Sequence, residues 1–174
     1  MTTIDSREFR RTMGLFATGV TVVTAEADGE IHGMTANSVT SVSLDPPLVL
    51  VCVDRRAHMC GIIAKAGRFA INILSVHQEA VSQHFAGSPG DVALPFSSLD
   101  GVPSLPGTLA TIVCTTHEVL AGGDHIIVLG RVDVTQQAPE MPPPLLYFAG
   151  RYERLEKEHT AALNGHGAAK RRAD

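Results

Sequence analysis

Apolar positions recur along this chain with two periods, and the change from one to the other marks the elements. Near the N-terminus Phe9, Met13 and Phe16 fall at helical spacing, behind an Asp5…Glu8 capping-box pattern, and Gly19 ends the run. Val20 to Glu26 is rich in β-branched side chains and predicts a strand. Asp28-Gly29 is a hairpin signal, so Glu30 to Met34 is expected to return antiparallel. Asp45-Pro46-Pro47 interrupts the chain, because proline has no N–H to give a ladder. Leu48 to Val53 is apolar on both faces and predicts a barrel wall covered from outside.

Ala57 to Ala66 predicts a short helix closed by Gly67, and Phe69 to Leu74 the next strand. Ser75 and Gln78 form a second capping-box pattern, for a helix that ends near Phe85 with Gly87 beyond. Gly87 to Gly107 holds four glycines and four prolines, which predicts a loop with little regular structure, of the kind that serves as a lid. Two long strands follow, Leu109 to Leu120 and His125 to Gln136, turned by Gly122-Gly123-Asp124. A final strand is expected within Met141 to Leu155. Seven or eight strands, three short helices and no βαβ rhythm predict a mainly β protein, an antiparallel barrel with helices packed outside it. Residues 1–155 are expected to form one domain and 156–174 a disordered tail.

Composition narrows the function classes. The chain has 174 residues, 44% hydrophobic and 18% charged, which is globular and not disordered. A net charge of −4 argues against a nucleic-acid partner, and Lys170, Arg171 and Arg172 read as a solvated end. Three cysteines without CxxC spacing make no disulfide framework and fit a reducing cytoplasm; Cys52 and Cys114 read as core packing. Met1 to Arg11 carries charges where a signal peptide needs an apolar core, and Leu48 to Val53 is too short to span a bilayer, so no membrane role is expected.

Three stretches carry candidate chemistry. In GMTANSVTSVS, Gly33 to Ser43, alternation fails: Thr35, Asn37, Ser41 and Ser43 share one parity, with Val39 the apolar member. Such a strand is either a solvated edge or a wall that lets a flat ligand approach the backbone. A flavin ring needs such a wall, because its pyrimidine side carries alternating donors and acceptors and its benzenoid side is apolar. In DRRAH, Asp54 to His58, the side chains of Arg55, Arg56 and His58 suit either a phosphate at a helix start or an ordinary surface turn. His125 stands where a turn meets a strand, as a partner for a ligand amide or as a satisfied strand-end histidine. No glycine-rich dinucleotide fingerprint, P-loop, HExxH or GxSxG occurs, and no Cys/His pair has finger spacing.

Five stretches in this order resemble the short-chain flavin reductases, the reductase components of two-component flavin-dependent monooxygenases. They are FATGVTVVT (16–24), GMTANSVTSVSLDPPLVLVCV (33–53), GRFAINIL (67–74), GDHIIVLGRV (123–132) and PLLYFAGRY (144–152). The resemblance runs from about Phe9 to Tyr152 and implies a flavin-binding split β-barrel, a homodimer with flavin sites near the subunit interface. It implies reduction of FAD, with FMN as the alternative, by NADH in preference to NADPH, and a monooxygenase component that receives the reduced flavin. By the same resemblance Thr35, Ala36, Asn37, Ser38, Ser41 and Val42 would line the isoalloxazine and ribityl chain. Cys52, Val53 and Asp54 would continue that wall, and Arg55, Arg56 and His58 would reach the phosphate. Phe85 would lie near the covering loop, His125 would meet the nicotinamide, and Arg151 and Tyr152 would close the site. Two departures stand out: Ala57, His58 and Met59 replace the family's Ser/Thr phosphate ligands, and Leu94-Pro95-Phe96 replaces a lysine–phenylalanine pair. The competing readings are a flavoprotein with tightly held FMN that reduces another acceptor, a flavin-binding electron carrier or sensor without free-flavin turnover, and a β-barrel interaction module.

Overall fold

A computed structural model describes residues 4–88 and 95–155. The basic tail and Leu94 lie outside the described residues. The protein is mainly β, and its strand pairings are antiparallel. Helix α1 (Ser6–Met13) is capped by Asp5, whose carboxylate accepts from Arg7 N at 2.9 Å, not from Glu8. It stops at Gly14, earlier than the expected Gly19, so Phe16 lies beyond it and Thr18–Gly19 forms a short strand, β1.

Strands β2 (Thr21–Ala27) and β3 (Glu30–Ala36) make the expected hairpin. Asp28 and Gly29 both have positive φ, 54° and 78°, as a twist-matched two-residue turn requires. Strand β4 (Val39–Leu44) and strand β5 (Pro47–Asp54) follow, then helix α2 (His58–Ala66), ended by Gly67 at φ 67°. Strand β6 (Arg68–Ile73) leads to a 3-10 turn, Val76–Gln78, and helix α3 (Glu79–Phe85). Ser75 and Gln78 close the expected capping box. The rest is two short hairpin strands, β7 (Ser97–Leu99) and β8 (Val102–Ser104), two long ones, β9 (Ala110–Gly122) and β10 (His125–Gln137), and a terminal pair, β11 (Leu146–Phe148) and β12 (Arg151–Glu153).

Seven strands form one sheet in the order β3-β2-β6-β9-β10-β5-β4. Its two edge strands, β3 and β4, are consecutive in the chain and joined only by Asn37-Ser38. The sheet therefore curls until its edges meet at that link, with no ladder between them, which agrees with the expected split barrel. Val23, Val51, Val53, Phe69, Ile71 and Val128 fill the interior, and α2 adds Met59, Ile62 and Ile63. Packing there is tight: a β-carbon on Gly130 would stand 2.6 Å from Phe69 Cζ and 2.8 Å from Cys114 Cβ.

Three expectations need correction. The segment 87–107 is not featureless: Asp100 and Gly101 turn β7 into β8, and Thr24 Oγ1 donates to Pro103 O at 2.5 Å to pin that hairpin to the sheet. Met141 to Leu155 holds two short strands instead of one, because Ala149 and Gly150 turn the chain at positive φ. Strand β5 is buried on one face only. Val49, Val51 and Val53 point inward, while Leu48, Leu50 and Cys52 are half-buried, so Cys52 is not core packing. Cys114 is fully buried as expected.

Candidate functional site

The link Asn37-Ser38 lies between two hollows, because a curled sheet with unpaired edges leaves a cleft on each side of their junction. The larger hollow is an open pocket of about 780 Å³. Strand β3 supplies Ile31 to Thr35, helix α3 supplies Ser82, His84 and Phe85, and the terminal hairpin supplies Tyr147 and Tyr152. Phe96 completes the apolar side, its ring 6.1 Å from that of Phe85. The polar side is a chain of hydrogen bonds. Thr35 Oγ1 donates to Ser82 O at 2.7 Å, and Ser82 Oγ pairs with Tyr152 OH at 2.8 Å. These two bonds tie β3, α3 and β12 around one space.

The smaller hollow, about 520 Å³, is lined by Phe9, Met13 and Phe16 near the N-terminus, by Asn37, Ser38 and Thr40, and by Leu50 and Cys52. Asn37 faces both hollows. Thr18 lines this hollow, and its Oγ1 is buried without a partner, a polar atom that a ligand or a covering surface would satisfy.

A third cluster forms where β5 and β10 end side by side, with His125 opposite Asp54. Arg55 N donates to Asp124 O at 3.0 Å and Arg55 Nε to Gly123 O at 3.1 Å. The Arg56 guanidinium pairs with Asp54 at 2.8 Å and holds that carboxyl well below the usual carboxylate range. His125 Nδ1 stands 2.8 Å from Asp124 Oδ1, and this hydrogen bond lowers the Asp124 carboxyl.

The expected site residues thus divide. Thr35, Asn37, Phe85 and Tyr152 share the larger hollow, and Asn37, Ser38 and Cys52 the smaller. Asp54, Arg55, Arg56 and His125 gather at the strand ends. Ser41 and Val42 lie exposed on edge strand β4 and line neither hollow. Ala36 and Val53 are corrections: both side chains point into the core, so each offers a ligand only its backbone. Arg56 is held by Asp54, His58 by Glu30 at 2.7 Å, and Arg151 by Glu153 at 2.8 Å, so none of the three stands ready for a phosphate. Arg55, by contrast, makes no ion pair among the described residues.

Sequence reasoning missed Ser82, Tyr147, Phe96 and His32. Ser82 carries no signal, being one serine on a helix. Tyr147 lies in a stretch that carried the resemblance. Burial and the neighbouring His58 push the His32 imidazole below its ordinary value.

The profile of the flavin reductase like domain matches residues 13–156. The chain is 44% identical to an NADH-dependent flavin reductase of a Rhodococcus species, over 84% of this chain and 85% of that protein. It is 42% identical to the reductase component of 4-hydroxyphenylacetate 3-monooxygenase of Thermus thermophilus, over 84% and 95% of the two chains. Among solved structures, the NADH:FAD oxidoreductase SgcE6 of Streptomyces globisporus, in complex with NAD and FAD fragments, superposes with a TM-score of 0.82. The sequence identity is 37%, and the match covers 91% of this chain and 99% of that one. Among the described residues, no helix is long and apolar enough to cross a membrane.

Proposed function

The chain belongs to the flavin reductase family, and from that membership we propose that it reduces free flavin with NADH and supplies the product to a monooxygenase component. The observation that carries this reading is the larger hollow, which the rings of Phe85, Phe96 and Tyr147 line together with the hydrogen-bonded row of Thr35, Ser82 and Tyr152. A flat molecule with one apolar and one hydrogen-bonding edge fits such walls. When bound, flavin accepts hydride at its ring, chemistry that no side chain of this protein can supply.

The protein's part is to bind, orient and exclude water. Thr35, Asn37 and Ser38, with the backbone of Ala36, would hold the hydrogen-bonding edge of the flavin. Val53 would serve through its backbone, and Cys52, on the smaller hollow, and Asp54, at the strand ends, would carry the flavin surface past Asn37 and beyond the larger hollow. Arg55 is the phosphate partner best placed to act, since Arg56 and His58 already pair with carboxylates. His125, oriented by Asp124, would hold the nicotinamide amide. We assign FAD over FMN and NADH over NADPH, in keeping with the relative named as an NADH:FAD oxidoreductase.

A homodimer belongs to the same proposal. Phe9 and Phe16 are 52% and 71% exposed, beside Met13 and along the smaller hollow. An apolar patch of this kind marks an interaction surface. A second copy would cover it and bring a subunit boundary against Asn37, Ser38 and Cys52.

The deciding experiment follows NADH absorbance with the purified protein alone, with FAD and with FMN, and repeats the series with NADPH. Flavin-dependent oxidation, faster with FAD, is expected. Flavin binding without oxidation of either nucleotide would leave a carrier, and no flavin binding at all would leave an interaction module.

A further inference from the structure

The histidine spacing of the sequence contains no metal motif, yet folding brings two histidines and a glutamate together beside the larger hollow. Glu30 and His32 stand two apart on β3, so their side chains leave the same face of the strand. Helix α2 packs over that region, anchored in the core by Met59, Ile62 and Ile63, and its first residue is His58. One donor atom from each of Glu30, His32 and His58 lies within 4.8 Å of the others. His58 Nε2 is 2.7 Å from Glu30 Oε1, and the His32 and His58 rings meet edge to face with centroids 4.8 Å apart.

As a surface ion pair this arrangement is incomplete. Among the described residues His58 Nε2 pairs with Glu30, while the His32 ring meets His58 edge to face and makes no hydrogen bond of its own. A divalent cation satisfies all three donors at once. Zinc takes imidazole nitrogen and carboxylate oxygen at about 2.0–2.2 Å, which sets tetrahedral donors about 3.4 Å apart. The donors, all within 4.8 Å of one another, would have to draw in by up to about 1.4 Å to reach that spacing, with Glu30 and His58 exposed and His32 half-buried. Lys65, which feels the charge of Glu30, pairs instead with Asp28 at 2.8 Å. Two imidazoles and one carboxylate suit zinc, cobalt, nickel or copper, not calcium or magnesium, which ask for oxygen ligands only.

We propose that Glu30, His32 and His58 form a binding site for a divalent transition-metal ion at the rim of the larger hollow. Three protein ligands leave a fourth position for water or for an oxygen donor of a molecule in the pocket, which His32 also lines. The site stands on the side-chain geometry alone and is independent of the flavin reading.

The test is a cobalt titration of the full chain, purified without a histidine tag and followed by visible absorption, with zinc as competitor. One equivalent of cobalt is expected to give d–d bands without a thiolate charge-transfer band. Losing even an outer partner of a metal ligand weakens binding about 10–100-fold, so His32→Ala and His58→Ala are each expected to cost roughly 100-fold. Glu30→Gln is expected to cost somewhat less. A zinc-dependent rise in melting temperature, present in the parent and absent in the three variants, separates lost binding from lost folding. No bands at stoichiometric cobalt would overturn the site. So would bands that survive all three substitutions, or charge transfer that disappears in Cys60→Ser and so places the metal on a thiolate.

Discussion

Phe85 lies against the strand where any side chain on Gly33 would have to be: a β-carbon there would stand 2.3 Å from Phe85 Cε1 and 2.6 Å from Cδ1. Glycine inside a strand gives up packing and backbone entropy. Here it lets α3 bring its last ring onto β3 and form the apolar wall of the hollow.

Gly33→Ala is therefore expected to drive the Phe85 ring out of that wall. The KM for flavin should rise about tenfold, equivalent to about 1.4 kcal/mol, while overpacking lowers stability by about 1–3 kcal/mol. Adding Phe85→Ala should recover part of the stability and none of the flavin affinity. Steady-state kinetics and thermal melts of both variants check this, and an unchanged KM in Gly33→Ala would sink it.

Tyr152→Phe removes the hydroxyl that meets Ser82 Oγ at 2.8 Å and so loosens β12 from α3. The expected loss is about 1 kcal/mol, read as a melting temperature lower by about 2–4 °C. Because the two groups share one bond, Ser82→Ala and Tyr152→Phe together should cost less than their sum. Strict additivity in the double mutant would show that the bond contributes nothing.

His125→Ala should raise the KM for NADH more than it weakens flavin binding, since the partner proposed for its imidazole is the nicotinamide amide and not the flavin. Separate measurement of KM for NADH and Kd for FAD decides it. Equal losses in both would remove His125 from the nicotinamide.

Met13→Glu places a charge in the apolar strip of α1 without touching the core, as no residue of that helix is buried. If a second copy covers the strip, the mass in light scattering should fall from dimer to monomer. A parent protein that is already monomeric would refute the homodimer.

Burial pushes the Cys114 thiol up to about 12 from an ordinary 9.0. The folded state thus holds this proton more tightly than the unfolded chain does. Its contribution is intact below pH 9.0 and drains away as pH rises toward the folded value, by at most about 1.4 kcal/mol per pH unit. Urea unfolding at a series of alkaline pH values should show that decline in the parent and a shallower one in Cys114→Ala. Parallel curves would exclude the thiol as its source.

Local chemistry wrote most of the elements into the sequence. The Asp28-Gly29 turn, the Ser75/Gln78 capping box and the left-handed Gly67 each depend on a few neighbouring residues and formed as expected, while Asp5 caps its helix without the Glu8 half of the expected box. The β7–β8 hairpin was legible too: Asp100-Gly101 is the same dipeptide as Asp28-Gly29, hidden among prolines that suggested a loop. The resemblance carried Thr35, Asn37, Phe85 and Tyr152 into one hollow.

What the chain could not state in advance was which of its residues meet across the fold. A side chain's orientation follows from strand register, which sends Ala36 and Val53 into the core and leaves Cys52 outward. Pairing depends on neighbours far away in sequence, as where Glu30 takes His58 and Ser82 joins Thr35 to Tyr152. The sequence alone determined most of the elements and turns and the family, because those rest on short-range preference and pattern. Tertiary structure alone decided the walls of the hollows, the partners of Arg55 and the two-histidine cluster, because those are distances between segments that only the curled sheet brings together.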